Sequence, residues 1–251
     1  MTNQTDTIQD RYEFDLDNHI HKLDGRPLMG VTSVLSVISK PALIQWSANM
    51  AVNYVRDNSK TIDNDEGMET KYVITEELLQ EAKVAHRKKK EKAGDWGTEI
   101  HKWVEDYILS EINDTAPAPE IPEDEMKKKA ILNFLDWASM NKVEFLESER
   151  NIWSEKLWIG GICDLVVRIG SKTYLADIKT SSGIYNEAFY QMGAYNLCFE
   201  EMNLYKDIAG YIVINLKKDG KMEIKEVTDM KTNKEAFKYA LGLYKIINSK
   251  K

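Results

Sequence analysis

Asp164, Asp177 and Lys179 are the residues whose types and spacing point most directly to chemistry. Ile162-Cys163-Asp164-Leu165-Val166-Val167 is an almost wholly apolar run, the composition of a strand buried on both faces, and Asp164 sits in its middle. A carboxylate there is costly unless it is paired or holds a metal ion. Taken alone, such an aspartate is more often salt-bridged or at a strand end. A second feature shifts that balance. Gly170 and Ser171 supply a tight turn, so the strand ending in Asp177-Ile178-Lys179 becomes the neighbour of the strand carrying Asp164. Strand side chains alternate, which puts Asp177 and Lys179 on one face and Ile178 on the other. Two carboxylates and one ammonium then meet at one spot. Paired carboxylates suit Mg²⁺ or Mn²⁺, which take few protein ligands and keep several waters, and the backbone carbonyl of Ile178 could add another ligand. Lys179 could orient or activate a water, or stabilise charge developing on a phosphate.

Three further groups have matching chemistry. His101 falls beside an apolar helical stripe, one residue after Ile100; there it is either a boundary residue satisfied by one hydrogen bond or an additional imidazole ligand. Gln191 and Tyr195 are four apart on the helix after the D-x-K strand and share a face, as ordinary packing or as support for the site and its substrate. Residues 83–92 hold six Lys or Arg against one Glu; Arg87, Lys88, Lys89 and Lys90 form either a solvated helix face or a contact for DNA phosphates.

The elements that must position these groups follow from periodicity and punctuation. Residues 11–23 read as a hairpin turning near Asp17-Asn18, residues 31–39 as a short helix capped by Thr32 and stopped by Pro41, and residues 42–56 as a helix. Residues 57–70 read as a loop. A long helix from Thr75 to about Lys92 is expected to break at Ala93-Gly94, and a second to run from Thr98 to Ser110 behind a glycine turn and a Thr cap. Residues 113–122, with three of the five prolines, form a linker before a helix over 123–140. Strands over 143–153, 158–169 and 173–179, a helix over 185–202, a hairpin of 209–216 with 222–227 and a closing helix over 231–248 complete an α/β pattern. The expected organisation is a disordered tail at 1–10, an N-terminal hairpin and helical region at 11–92, and a core at 93–251, within one continuous globular unit.

Composition bounds the function. The chain has 251 residues, 43% of them hydrophobic and 30% charged, enough for one sizeable α/β domain. Two cysteines, Cys163 and Cys198, exclude a disulfide scaffold, a four-cysteine zinc site and a four-cysteine iron–sulfur cluster. No apolar run approaches the roughly 18 residues of a membrane span. The polar stretch from Met1 to Asp10 carries no signal-peptide core, so a cytoplasmic protein is expected. The net charge of −7 argues against non-specific coating of nucleic acid, but not against a nuclease with an acidic metal site.

Gly97-Thr98-x-x-His101, Gly160-Gly161-x-x-Asp164, Asp177-Ile178-Lys179-Thr180 and Gln191-x-x-x-Tyr195, in this order, resemble the PD-(D/E)XK nuclease superfamily. Within it the chain is most similar to the branch of RecB-type nuclease domains and phage exonucleases, over about residues 94–215. The resemblance implies a restriction-endonuclease-like mixed β-sheet flanked by helices, with a helical N-terminal part. It implies that Asp164, Asp177, the Ile178 carbonyl and His101 ligate Mg²⁺ or Mn²⁺, that Lys179 is catalytic, and that Gln191 and Tyr195 support the site and the substrate strand. A family glutamate ligand falls on Glu149, with Glu105 in reserve. The family's proline is replaced by Cys163, and no helicase motif is present. The implied activity is metal-dependent hydrolysis of DNA, exonuclease before endonuclease, in recombination, repair or replication. DNA ends, a recombination or single-strand-binding protein and a second copy of the chain are the implied partners; no membrane is. If phage-encoded, the protein would act in the host cytoplasm. The competing reading is an inactive DNA-binding accessory protein on the same fold.

Overall fold

The apolar runs in the second half of the chain are the central strands of a mixed sheet in the computed structural model, which describes residues 11–62, 71–113 and 117–249. The chain divides into two compact units, Met1–Ile38 with Ile100–Lys251, and Ser39–Glu99.

In the first unit, β1 (Tyr12–Asp15) and β2 (Ile20–Leu23) form the expected hairpin, extended by β3 (Arg26–Pro27). The Asp15 carboxylate accepts from the Asn18 N–H at 3.1 Å and so closes the turn. β4 (Met29–Gly30) then joins the main sheet, and α1 (Val31–Leu35) follows it. Gly30 is the N-cap of α1, without a side-chain cap bond; Thr32 lies inside the helix and does not cap it. Val31, Val34 and Leu35 are buried in the main core, which is why residues 11–38 belong with the C-terminal part of the chain rather than with 39–92.

The main sheet contains β7 (Glu144–Ser154), β8 (Ile159–Ile169), β9 (Lys172–Lys179), β10 (Ile208–Leu216) and β11 (Met222–Val227), ordered β11-β10-β9-β8-β4, with β7 along the other edge of β8. β7–β8, β8–β9 and β10–β11 are antiparallel. Gly170, at φ +60°, takes the left-handed turn position between β8 and β9 that a side chain would resist. β9 and β10 are parallel, so their connection must cross the sheet. That crossover carries α5 (Asn186–Glu201). Val166, Leu175, Tyr211 and Val213 pack with Phe189, Met192 and Phe199 of α5 and with Phe237 and Leu241 of α6 (Met230–Asn248). Each such side chain contributes about 1.5–3 kcal/mol on burial. Ile212, Ile214 and Leu216 are also buried and alternate onto the other face. α4 (Glu125–Met140) sends Asn133 to the Gly220 carbonyl of the β10–β11 turn, at 2.8 Å. Burial on both faces explains why β10 lacks the polar alternation of a surface strand. Asp124 caps α4 by accepting from the N–H groups of Met126 and Lys127.

In the second unit, α2 (Pro41–Asn58) begins at Pro41. Proline suits the first turn because its missing N–H is needed there by no carbonyl, so this residue opens a helix. β5 (Lys60–Ile62) lies within the expected loop over 57–70 and pairs with β6 (Lys71–Val73) just beyond it. α3 (Glu76–Ile112) continues through Ala93-Gly94 without the expected break, and the boundary between the units falls within it. A glycine in a helix interior costs about 1 kcal/mol relative to alanine, too little to interrupt a long ladder. Gly97 and Thr98 are therefore interior residues, not a turn and a cap. The expected tail at 1–10, residues 63–70 of the expected loop and residues 114–116 of the expected linker lie outside the described residues. Among the described residues no helix is long and apolar enough to cross a membrane.

Candidate active site

The site forms where β8 and β9 part. Their last paired residues are Leu165 and Ala176, so continuation of the register sets Asp164 opposite Asp177. β4 pairs with β8 only at Ile159 and Gly160, and β7 occupies the opposite edge. On the edge shared by β4 and β9, residues 161–164 are thus left without a strand beside them. Asp164 uses this opening: its Oδ2 accepts the Ile178 N–H at 3.0 Å. On the other side, Ser148 pairs with Leu165 and Arg150 with Cys163, which sets Glu149 opposite Asp164. Glu149, Asp164 and Asp177 thereby form one row across three adjacent strands. Glu149 has φ +48°, a left-handed conformation that is unfavourable for a side-chain-bearing residue and marks an irregularity in β7.

Asp177 is fully buried. The Lys179 Nζ lies 2.8 Å from its Oδ1 and 2.7 Å from its Oδ2. The contact at Oδ2 is ionic without hydrogen-bond geometry, and that oxygen has no hydrogen-bond partner. Lys179 also donates to Gln191 Oε1 at 3.3 Å, and Gln191 donates through Nε2 to the Tyr195 hydroxyl at 2.5 Å. The four-residue spacing on α5 therefore makes a relay that holds the lysine. Gly161 permits it: a Cβ there would stand 2.8 Å from Cε1 of Tyr195. At Gly160 a Cβ would stand 2.7 Å from the Cβ of His21. The glycine pair ahead of Asp164 thus lets α5 and the N-terminal hairpin approach β8.

The charges oppose one another at close range. Burial raises the Asp177 pKa to about 6; Lys179 opposes the rise and Asp164 adds to it. Burial also raises that of Asp164, against Lys179 and the Ile178 N–H. For Lys179 burial disfavours the charge, but Asp177 and Asp164 outweigh it and hold the pKa above the usual lysine value. Burial, then the Lys179 charge, lowers the pKa of His101, with Asp177 opposing, so the imidazole is neutral beside the pair. The Glu149 residue is exposed to solvent; crowding by its surroundings first, and then Asp164, Glu105 and Asp177, push its carboxyl up, to about 8 at most, because water screens these charges.

Among the described residues no three His, Cys, Asp or Glu groups converge into a ready metal cage. The donor set that is present, two carboxylates with one buried oxygen lacking a hydrogen bond, fits a hard cation that takes one or two carboxylates and retains its waters. His101 and Glu149 are near enough to act on these charges without completing a cage. Ile178 enters the site through its N–H. Arg87, Lys88, Lys89 and Lys90 are exposed on α3 in the second unit, and Lys88 is paired with Glu81.

Asn215 was not anticipated. It is fully buried and clamps the chain just after Lys179, accepting from the Ser181 N–H and donating to the Ser181 carbonyl, both at 3.0 Å. Its signal was present in the sequence as a lone amide in the apolar run Tyr211-Ile212-Val213-Ile214-Asn215-Leu216.

No protein-family model matches the chain, and no curated protein does. A solved structure described as the crystal structure of SSO0001 is similar at 18% identity over 45% of this chain and 56% of that one, with a TM-score of 0.27. The chain therefore spans little more than half of that structure's length.

Proposed function

We propose that this protein is a metal-dependent nuclease that hydrolyses DNA phosphodiester bonds, with a restriction-endonuclease-like core of the PD-(D/E)XK type and an exonuclease's preference for ends. The observation that carries this reading is the convergence of Asp164, Asp177 and Lys179 at the parting of β8 and β9. Mg²⁺ or Mn²⁺ would be held by Asp164 and Asp177, with His101, Glu149 and the Ile178 carbonyl as further donors. When bound, such an ion neutralises phosphate charge and acidifies water.

The chain's own residues do the rest. Lys179 keeps its proton at neutral pH because two carboxylates face it, so it acts as an ammonium donor to a phosphate oxygen as charge develops there. Gln191, braced by Tyr195, restricts where that ammonium can point. Asn215 restrains the backbone that follows it.

The test is incubation with end-labelled single-stranded, linear duplex and closed-circular DNA, with Mg²⁺, Mn²⁺ or EDTA, beside Lys179→Ala. Loss of linear DNA that needs the metal, spares the circle and falls at least about 100-fold in the variant is the expected result. Cutting of the circle would make the enzyme an endonuclease. Binding of DNA with no cleavage under any condition would overturn the catalytic reading in favour of an accessory protein.

A further inference from the structure

We propose that the cavity beside Glu149 is a nucleoside pocket that receives one base of the substrate strand, next to the phosphate at the acid row; this rests on the nuclease reading above. The cavity has a volume of about 670 Å³, within the usual range for small-molecule sites. It lies against β7, the strand along the outer edge of β8, and Glu149 belongs both to its lining and to the row with Asp164 and Asp177. A strand whose phosphate sits at that row has its neighbouring nucleotide within reach of the cavity. Asn151 is about 7 Å further along β7.

The lining has the chemistry of a base rather than of a phosphate. Tyr12 and Trp153 stack with centroids 4.5 Å apart and 13° between planes, and Ile112 adds apolar surface. Because the two rings are closed on each other, the pair can take a planar heterocycle only against its outer face. A polar edge can be met by Asn151. Asn151 accepts from the Tyr12 hydroxyl at 3.2 Å through Oδ1, and its amide nitrogen has no partner among the described residues. Glu147 and Glu149 in the same wall repel an isolated phosphate. The Arg150 Nε lies 3.3 Å from Glu147, so that cation is already largely compensated.

The experiment measures binding in EDTA, so that cleavage is not required. A short fluorescent single-stranded DNA, and a series carrying one abasic site at each position in turn, are titrated by anisotropy against the full-length protein, Asn151→Ala and Ile112→Trp. Ile112 is partly exposed at a helix end, so the larger ring fills the cavity without entering the sheet. In the unmodified protein one abasic position is expected to weaken binding about tenfold, the scale of one stacked base. Ile112→Trp should weaken the intact strand by a similar factor and abolish the difference at that position; Asn151→Ala should reduce it. A flat abasic series, or variants that keep the full profile, would overturn the pocket while leaving the nuclease reading standing. A position-specific profile with no metal-dependent cleavage would uphold the pocket and overturn only the nuclease reading. Failure to bind any strand would overturn the inference.

Discussion

Lys179 is held against the buried Asp177 with the half-buried Asp164 close by, and its neighbours decide how the protein responds to pH. The carboxyls of Asp177 and Glu149 have raised pKa values, about 6 and about 8, so the folded chain holds protons that the unfolded chain has released at the same pH. The stability tied to them is full below the unfolded carboxylate values and is lost as pH rises through the folded ones. His101 works in the opposite sense, because its lowered pKa favours folding above its ordinary value of 6.5 and is lost as pH falls. Between about pH 6.5 and 8 the Glu149 effect therefore acts alone of the three. Solvent screens the exposed Glu149, so in EDTA the melting temperature is expected to fall only slightly across that window, and Glu149→Gln should flatten the fall. A divalent ion competes with these protons, so the rise in melting temperature on adding Mn²⁺ should be larger at pH 8 than at pH 6. A metal effect independent of pH would separate the cation from these carboxylates.

At the scale of elements, two glycines should behave oppositely when given a methyl group. Gly161 faces the Tyr195 ring at a distance no real Cβ tolerates. Gly161→Ala must displace α5 or β8 and is expected to cost about 1–3 kcal/mol. Under the proposed function it should also lower turnover, because Tyr195 is the far end of the relay that holds Lys179. Gly94 lies inside α3, and a methyl group added there would meet nothing within 4 Å. Gly94→Ala should stabilise the chain by up to about 1 kcal/mol, read from denaturant unfolding. A break at this position would instead make the substitution neutral or harmful, so the sign distinguishes one helix from two.

The whole molecule has a marked asymmetry of burial. The unit containing the main sheet holds nearly all of the buried apolar side chains, with β8, β9 and β10 at the centre. In the unit Ser39–Glu99, α2 has no buried residue, and Leu43, Ile44 and Val52 are exposed. Amides protected by little burial open with little free energy. Hydrogen exchange is expected to be orders of magnitude faster in α2 than in β8–β10. Equal protection would show that α2 is covered in solution. The exposed basic run from Arg87 to Lys90 belongs to this less buried unit; under the proposed function, neutralising it should alter the salt dependence of DNA binding before it alters stability.

Local pattern alone determined that Asp177 and Lys179 share a face, that a two-residue turn brings Asp164 beside them, and that Gln191 and Tyr195 lie on one side of a helix. Each follows from a period of two or of 3.6 and needs no long-range information. The same periodicities reached the hairpin, β7 to β11 and the last three helices. Tertiary structure decided the rest. The pairing of β4 with β8 and the burial of α1 are contacts across more than a hundred residues, and no local signal carries them. The continuity of α3 was hidden because glycine's small helix penalty is outweighed by the length of the ladder around it. Glu149 could be placed opposite Asp164 only through the register of β7, which contains an irregularity between Phe145 and Glu147. A one-residue slip sends a strand side chain to the other face, so the third acid of the row could be settled only by pairing.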